Sequence, residues 1–124
     1  MRVFNTGATR NDNNDKFDYE GFLSPFVLER YAQYLHKHRK QTDGKMRDAD
    51  NWQKGIPTEA YMESLLRHVM EVWKDHRGAE CSEEEFQDSL CAIIFNAMGY
   101  LFEEIKDESK EKNICKPRYT WQVW

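Results

Sequence analysis

From Leu90 to Phe102 the chain is apolar almost throughout, interrupted only by Asn96. No other feature constrains the fold so strongly. The run falls short of the roughly 18 apolar residues that a membrane span requires. No longer run occurs elsewhere, so no transmembrane helix is expected. A helix that is apolar nearly all round belongs at the centre of a domain, covered on several sides. Ser82-Glu83-Glu84-Glu85 matches a capping box at its start. The charged residues of 103–112 return it to solvent, and the expected helix covers residues 82–109.

The rest of the chain must supply that cover. With 124 residues, residues 1–124 are expected to form one domain. Apolar residues make up 40%, enough for one modest core, while 32% charged residues must lie in solvent. A first helix is expected over 24–40: Ser24 can cap it, Pro25 suits its first turn, and Val27, Leu28, Tyr31, Tyr34 and Leu35 recur at helical spacing. Residues 41–57 read as a loop, with a turn at Thr42-Asp43-Gly44 and a stop at Gly55-Ile56-Pro57. Thr58 is expected to cap a second helix over 58–76, whose apolar residues are Tyr61, Met62, Leu65, Leu66, Val69, Val72 and Trp73. Its outer row is Glu63, Arg67, Glu71 and Asp75, spaced for pairing. Residues 1–22 form a polar arm with the aromatics Phe4, Phe17, Tyr19 and Phe22, and residues 110–124 a basic, aromatic tail. The expected fold is all-α, a compact bundle of three to four helices with ordered polar loops. Three helices of this length leave the central one partly uncovered, so a homo-oligomer, dimeric or higher, is expected.

Charge and cysteines narrow the partners. A net charge of −4 argues against duplex nucleic acid, whose binders carry a basic footprint. Residues 1–5 lack a signal-peptide apolar region, and Cys81, Cys91 and Cys115 form no CxxC pair. The expectation is a cytoplasmic protein without a membrane partner.

Three groups of residues can carry chemistry. Glu85 and Asp88, with Ala92 and Asn96, share one face of the third helix. Two carboxylates one turn apart can bind a hard divalent cation that takes further oxygens from phosphate. Glu85 is equally an ordinary first-turn acid, and Asn96 a satisfied core amide. On the second helix His68, Glu71 and Asp75 can add ligands or a general base. The same residues also read as a hydrogen-bonded core histidine and a partner for Arg67. Asn51-Trp52-Gln53-Lys54-Gly55-Ile56-Pro57 joins an amide, a stacking surface and a cation just before a helix N-terminus, where phosphate is favoured. Trp52 can instead simply anchor the loop. Gly7-Ala8-Thr9-Arg10 and Lys16 supply two more cations. The sequence contains no Walker loop, Gly-x-Ser-x-Gly, GxGxxG or His-Glu-x-x-His motif.

Together these segments resemble the dATP/dGTP diphosphohydrolase domain family of phages and bacteria. The resemblance runs over roughly residues 5–104 and rests on Gly7-Ala8-Thr9-Arg10, Lys16 with Asp18, the Asn51–Pro57 block, Arg67-His68, and Glu85, Asp88, Leu90, Ala92 and Asn96. The block Asn-Trp-x-Lys-Gly-Ile-Pro is its specific part. More distantly, the chain is similar to MazG-like all-α pyrophosphohydrolases, which hold Mg²⁺ on a Glu-x-x-Glu and a Glu-x-x-Asp helix. Glu85-Phe86-Gln87-Asp88 fits the second element, whereas His68-Val69-Met70-Glu71 has His where the first has Glu.

The resemblance implies metal-dependent hydrolysis of purine deoxynucleoside triphosphates to monophosphate and pyrophosphate, adjusting a nucleotide pool. Glu71, Glu85 and Asp88 are then the catalytic carboxylates, joined by His68 as ligands to Mg²⁺ or, given the mixed donors, Mn²⁺. Arg10, Lys16, Lys54 and Arg67 neutralise phosphate, Trp52 stacks on the base, and Asn51 or Asn96 fixes the sugar or base edge. Two other readings stand beside it. One is a non-catalytic binder that sequesters a nucleotide immune signal, and the other a small helical partner protein that uses Tyr119, Trp121 and Trp124.

Overall fold

The structure, a computed structural model, describes residues 1–79 and 85–111, with side chains to residue 108. Local sequence accounts for each helix start. In the helix Pro25–Lys37, here α2, the Ser24 hydroxyl accepts a hydrogen bond from the Val27 N–H at 3.3 Å, and Pro25 occupies the first turn, where a missing N–H costs nothing. The arm before it is partly ordered. Strands β1 (Arg2–Val3) and β2 (Thr9–Arg10) pair antiparallel, with Arg2 opposite Arg10. The one-turn helix α1 (Tyr19–Phe22) follows, capped by Asp18 through the Gly21 N–H at 2.9 Å.

Residues 38–57 are an ordered connection rather than a plain loop. A bridge pairs Lys40 with Met46 around a turn in which Gly44 has φ +84°, and residues Asn51–Lys54 form a 3-10 helix. Helix α3 runs Thr58–His76. Thr58 is its first residue and not its cap: extended Pro57 takes that position, with no side-chain capping bond, and its carbonyl accepts from the Ala60 N–H at 3.0 Å. Helix α4 runs Phe86–Glu111. The expected capping residues Ser82, Glu83 and Glu84, and residues 112–124 of the expected tail, lie outside the described residues.

The packing is all-α. Helix α3 lies along α4, with Tyr61 almost fully buried against Gly99, where a Cβ would overlap the Tyr61 ring. Helix α2 crosses the other flank of α4: Tyr31 and Tyr34 join Cys91 and Ala92 in the core, surrounded by Leu35, Phe95 and Met98. Burial pushes the Tyr31 hydroxyl up to about 12, and that hydroxyl donates to the Met98 Sδ at 3.6 Å. Asp88 on α4 is buried and pairs with Arg30 Nη2 at 2.6 Å and with Lys37 Nζ, both on α2. The Arg30 guanidinium first, then Lys37, hold its carboxyl below the ordinary carboxylate value. Among the described residues, no helix is long and apolar enough to cross a membrane.

Candidate functional site

Where the ordered connection lies over the helices, it closes a cavity of about 290 Å³. Tyr34, Leu35 and His38 come from the end of α2, Ser64 and His68 from α3, and Phe95 and Asn96 from α4. The connection adds Arg39, Arg47, Asp48, Ala49, Asn51, Trp52 and Ile56. The cavity therefore joins aromatic surface to amides, an imidazole and two guanidinium groups.

Hydrogen bonds fix several of these groups. Arg47 N–H donates to the Arg39 carbonyl at 2.7 Å, and Arg39 Nε donates to the Arg47 carbonyl at 2.8 Å. Two cations are thereby held side by side at one wall. Trp52 packs edge-on against Phe102, with ring centroids 4.7 Å apart. Beyond it, the Ile56 N–H donates to Glu103 Oε1 at 3.4 Å, tying the end of the connection to α4. Asn96 is buried and donates through Nδ2 to the Ala92 carbonyl at 2.8 Å. That bond orients the amide on a cavity-lining residue. On α3, His68 Nδ1 and Glu71 Oε2 lie 3.2 Å apart, so the carboxylate can set the orientation of the ring.

Four residues singled out from sequence meet here: Asn51, Trp52, His68 and Asn96. Glu71 joins them through His68, and Lys54 reaches the cavity residue Asp48 at 3.6 Å. Arg10 and Lys16 in the arm and Arg67 on α3 are exposed and do not line the cavity. Nor do Glu85 and Asp88. Glu85 is exposed, 4.0 Å from Arg30, and both Asp88 oxygens are held by Arg30 and Lys37. The expected metal set of His68, Glu71, Glu85 and Asp88 is thus split between a pair on α3 and two acids beside the cations of α2. Among the described residues no three His, Cys, Asp or Glu side chains gather to hold an ion. Acids already satisfied by Arg30 and Lys37 do not fit as one Mg²⁺ or Mn²⁺ site.

Sequence reasoning passed over Arg39 and Arg47, which matter most for charge at the cavity. Their near-symmetric placement about Thr42-Asp43-Gly44 was the available signal, because a hairpin at that turn pairs them. It also passed over Arg30, whose contact with Asp88 links positions far apart in the chain.

Comparison with curated proteins and with solved structures gives no match. A family model does match, over residues 6–113, and its description carries the dATP/dGTP hydrolase name together with the qualifier N-terminal. That match takes in the arm, the cavity and nearly all of α4. The chain belongs to the family described as dATP/dGTP diphosphohydrolase, N-terminal.

Proposed function

We propose that the cavity binds a purine deoxynucleoside triphosphate and that the domain hydrolyses it to monophosphate and pyrophosphate. The observation that carries this is the meeting of Asn51, Trp52, His68 and Asn96 beside Arg39 and Arg47 in one cavity. A volume of about 290 Å³ is near the lower end for small-molecule sites and suits a base with its sugar. The phosphates then extend over the arginine wall, where paired guanidinium groups match phosphate oxygens. Trp52 and Phe95 offer ring surface to the base, and Asn51 and Asn96 offer amides to its edge or to the sugar.

His68, held by Glu71, is the general base. It takes a proton from water as the water oxygen bonds to the α-phosphorus. The bond from that phosphorus to the α–β bridging oxygen breaks, and pyrophosphate leaves with the electron pair. Glu85 and Asp88 have no part in this step. In a phage-infected cell the reaction would adjust the purine deoxynucleotide pool. Incubation with a panel of nucleoside triphosphates, with Mg²⁺, with Mn²⁺ and with chelator, tests activity and metal dependence together when products are separated by chromatography. Monophosphate and pyrophosphate from dATP or dGTP are expected, and loss of activity in Trp52→Ala ties turnover to the cavity.

A second reading is favoured by one observation, the engagement of Asp88 with Arg30 and Lys37 in place of an ion. On that reading the domain holds the nucleotide without cleaving it. The same incubation then returns intact nucleotide bound to protein.

A further inference from the structure

The central helix is covered on one side only. Helices α2 and α3 pack on the side of α4 that carries Cys91, Ala92, Phe95 and Gly99. Phe86, Leu90, Ile94, Ala97, Leu101 and Ile105, spaced four, four, three, four and four apart, share the opposite side, and all six are exposed. An apolar row of this length, rimmed by charge, marks an interaction surface.

We infer that a second copy of this chain covers this row, its own α4 packed antiparallel across a two-fold axis near Ala97. Surface area gives the first argument. A compact monomer of 14.9 kDa exposes about 7,000 Å². The chain exposes 10894 Å². Granting residues 80–84 and 112–124 the whole surface of an unfolded chain, about 3,300 Å², still leaves the others roughly 1,400 Å² above the same scaling. A stable interface needs about 800 Å² from each partner.

Charge gives the second argument, and it fixes the direction. The acids Glu104, Asp107 and Glu108 cluster toward the C-terminal end of α4, while Arg30 and Lys37 sit beside Asp88 near its N-terminal end. Antiparallel packing lays each acidic end beside the other copy's cations and helix N-terminus, where negative charge is favoured. Parallel packing would set the two acidic ends together. The small Ala97 near the middle lets the helix backbones approach closely. Self-complementarity of this kind is what a two-fold interface requires.

Sedimentation of the full chain over a wide concentration range tests the inference without nucleotide, so its outcome is independent of the proposed activity. A mass of two copies is expected, with the Ile94→Glu/Leu101→Glu variant at one copy and its helical circular dichroism retained. Ala97→Cys should cross-link on oxidation, whereas Glu63→Cys, on the outer row of α3, should not. A single-copy mass for the full chain throughout would overturn the inference, and is what a different occupant of the row predicts. A double variant that stays at two copies, or Ala97→Cys that fails to cross-link, would overturn the assignment equally.

Discussion

Arg39 and Arg47 hold each other in place: the Arg47 N–H donates to the Arg39 carbonyl, and Arg39 Nε donates to the Arg47 carbonyl. Their guanidinium groups therefore belong to one rigid hairpin at the cavity wall. Charged hydrogen bonds to phosphate contribute about 1.5–3 kcal/mol each, so Arg47→Ala should weaken dATP or dGTP binding by roughly ten- to a hundredfold. Titration calorimetry at two salt concentrations checks this, and the weakening should shrink at high salt. An unchanged Kd would remove Arg47 from the phosphate contacts.

His68 and Glu71 separate chemistry from binding. His68→Ala should lower kcat by roughly 10²–10⁴, the usual contribution of a positioned general base, with little change in nucleotide affinity. Glu71→Gln should lower kcat less, because the amide can still orient the ring. Equal loss of binding and turnover in His68→Ala would make His68 a binding residue.

Gly99 has a packing reason. A Cβ there overlaps the Tyr61 ring, which is 2% exposed and closely surrounded. Replacing a mid-helix Gly by Ala ordinarily gains about 0.5–1 kcal/mol, whereas overpacking a core costs about 1–3 kcal/mol. The clash is with a rigid buried ring, so Gly99→Ala should be destabilising in urea titration. A stabilised variant would show that Tyr61 can move aside.

Asp88 makes stability depend on acid pH. Its carboxyl is held below its unfolded value, first by Arg30 and then by Lys37. The resulting stability is present above the unfolded carboxylate pKa, near 3.9, and is lost as pH falls through the lower folded value. Asp88→Asn should therefore melt below the parent at neutral pH, and the gap should close as the solution is acidified below about pH 4. A gap that persists at the lowest pH would assign the loss to packing.

Much of the fold was legible because its signals are local. Ser24 and Pro25 start α2 as their residue types dictate, and the apolar period of α3 and the run in α4 fix both helices. Asn51 to Pro57 announced a functional loop by combining an amide, an indole and a cation, and it does rim the cavity. The rest depended on contacts between distant positions. Glu85 and Asp88 share a helix face as their spacing requires, but that spacing says nothing of Arg30 and Lys37 opposite them. Arg10 and Lys16 looked like phosphate ligands by type, yet their hairpin leaves them exposed and away from the cavity wall. Residue type narrowed the chemistry, and tertiary packing decided which groups share a site.

The central claim is that the cavity formed by α2, α3, α4 and the 38–57 connection is a purine deoxynucleotide site. Its most direct measurement is product analysis after incubation with dATP and dGTP, run beside Trp52→Ala and Asn96→Ala. Monophosphate and pyrophosphate from the parent chain, with none from the two variants, is the predicted result. Parent and variants that neither bind nor cleave either nucleotide, with or without Mg²⁺ or Mn²⁺, would contradict the claim.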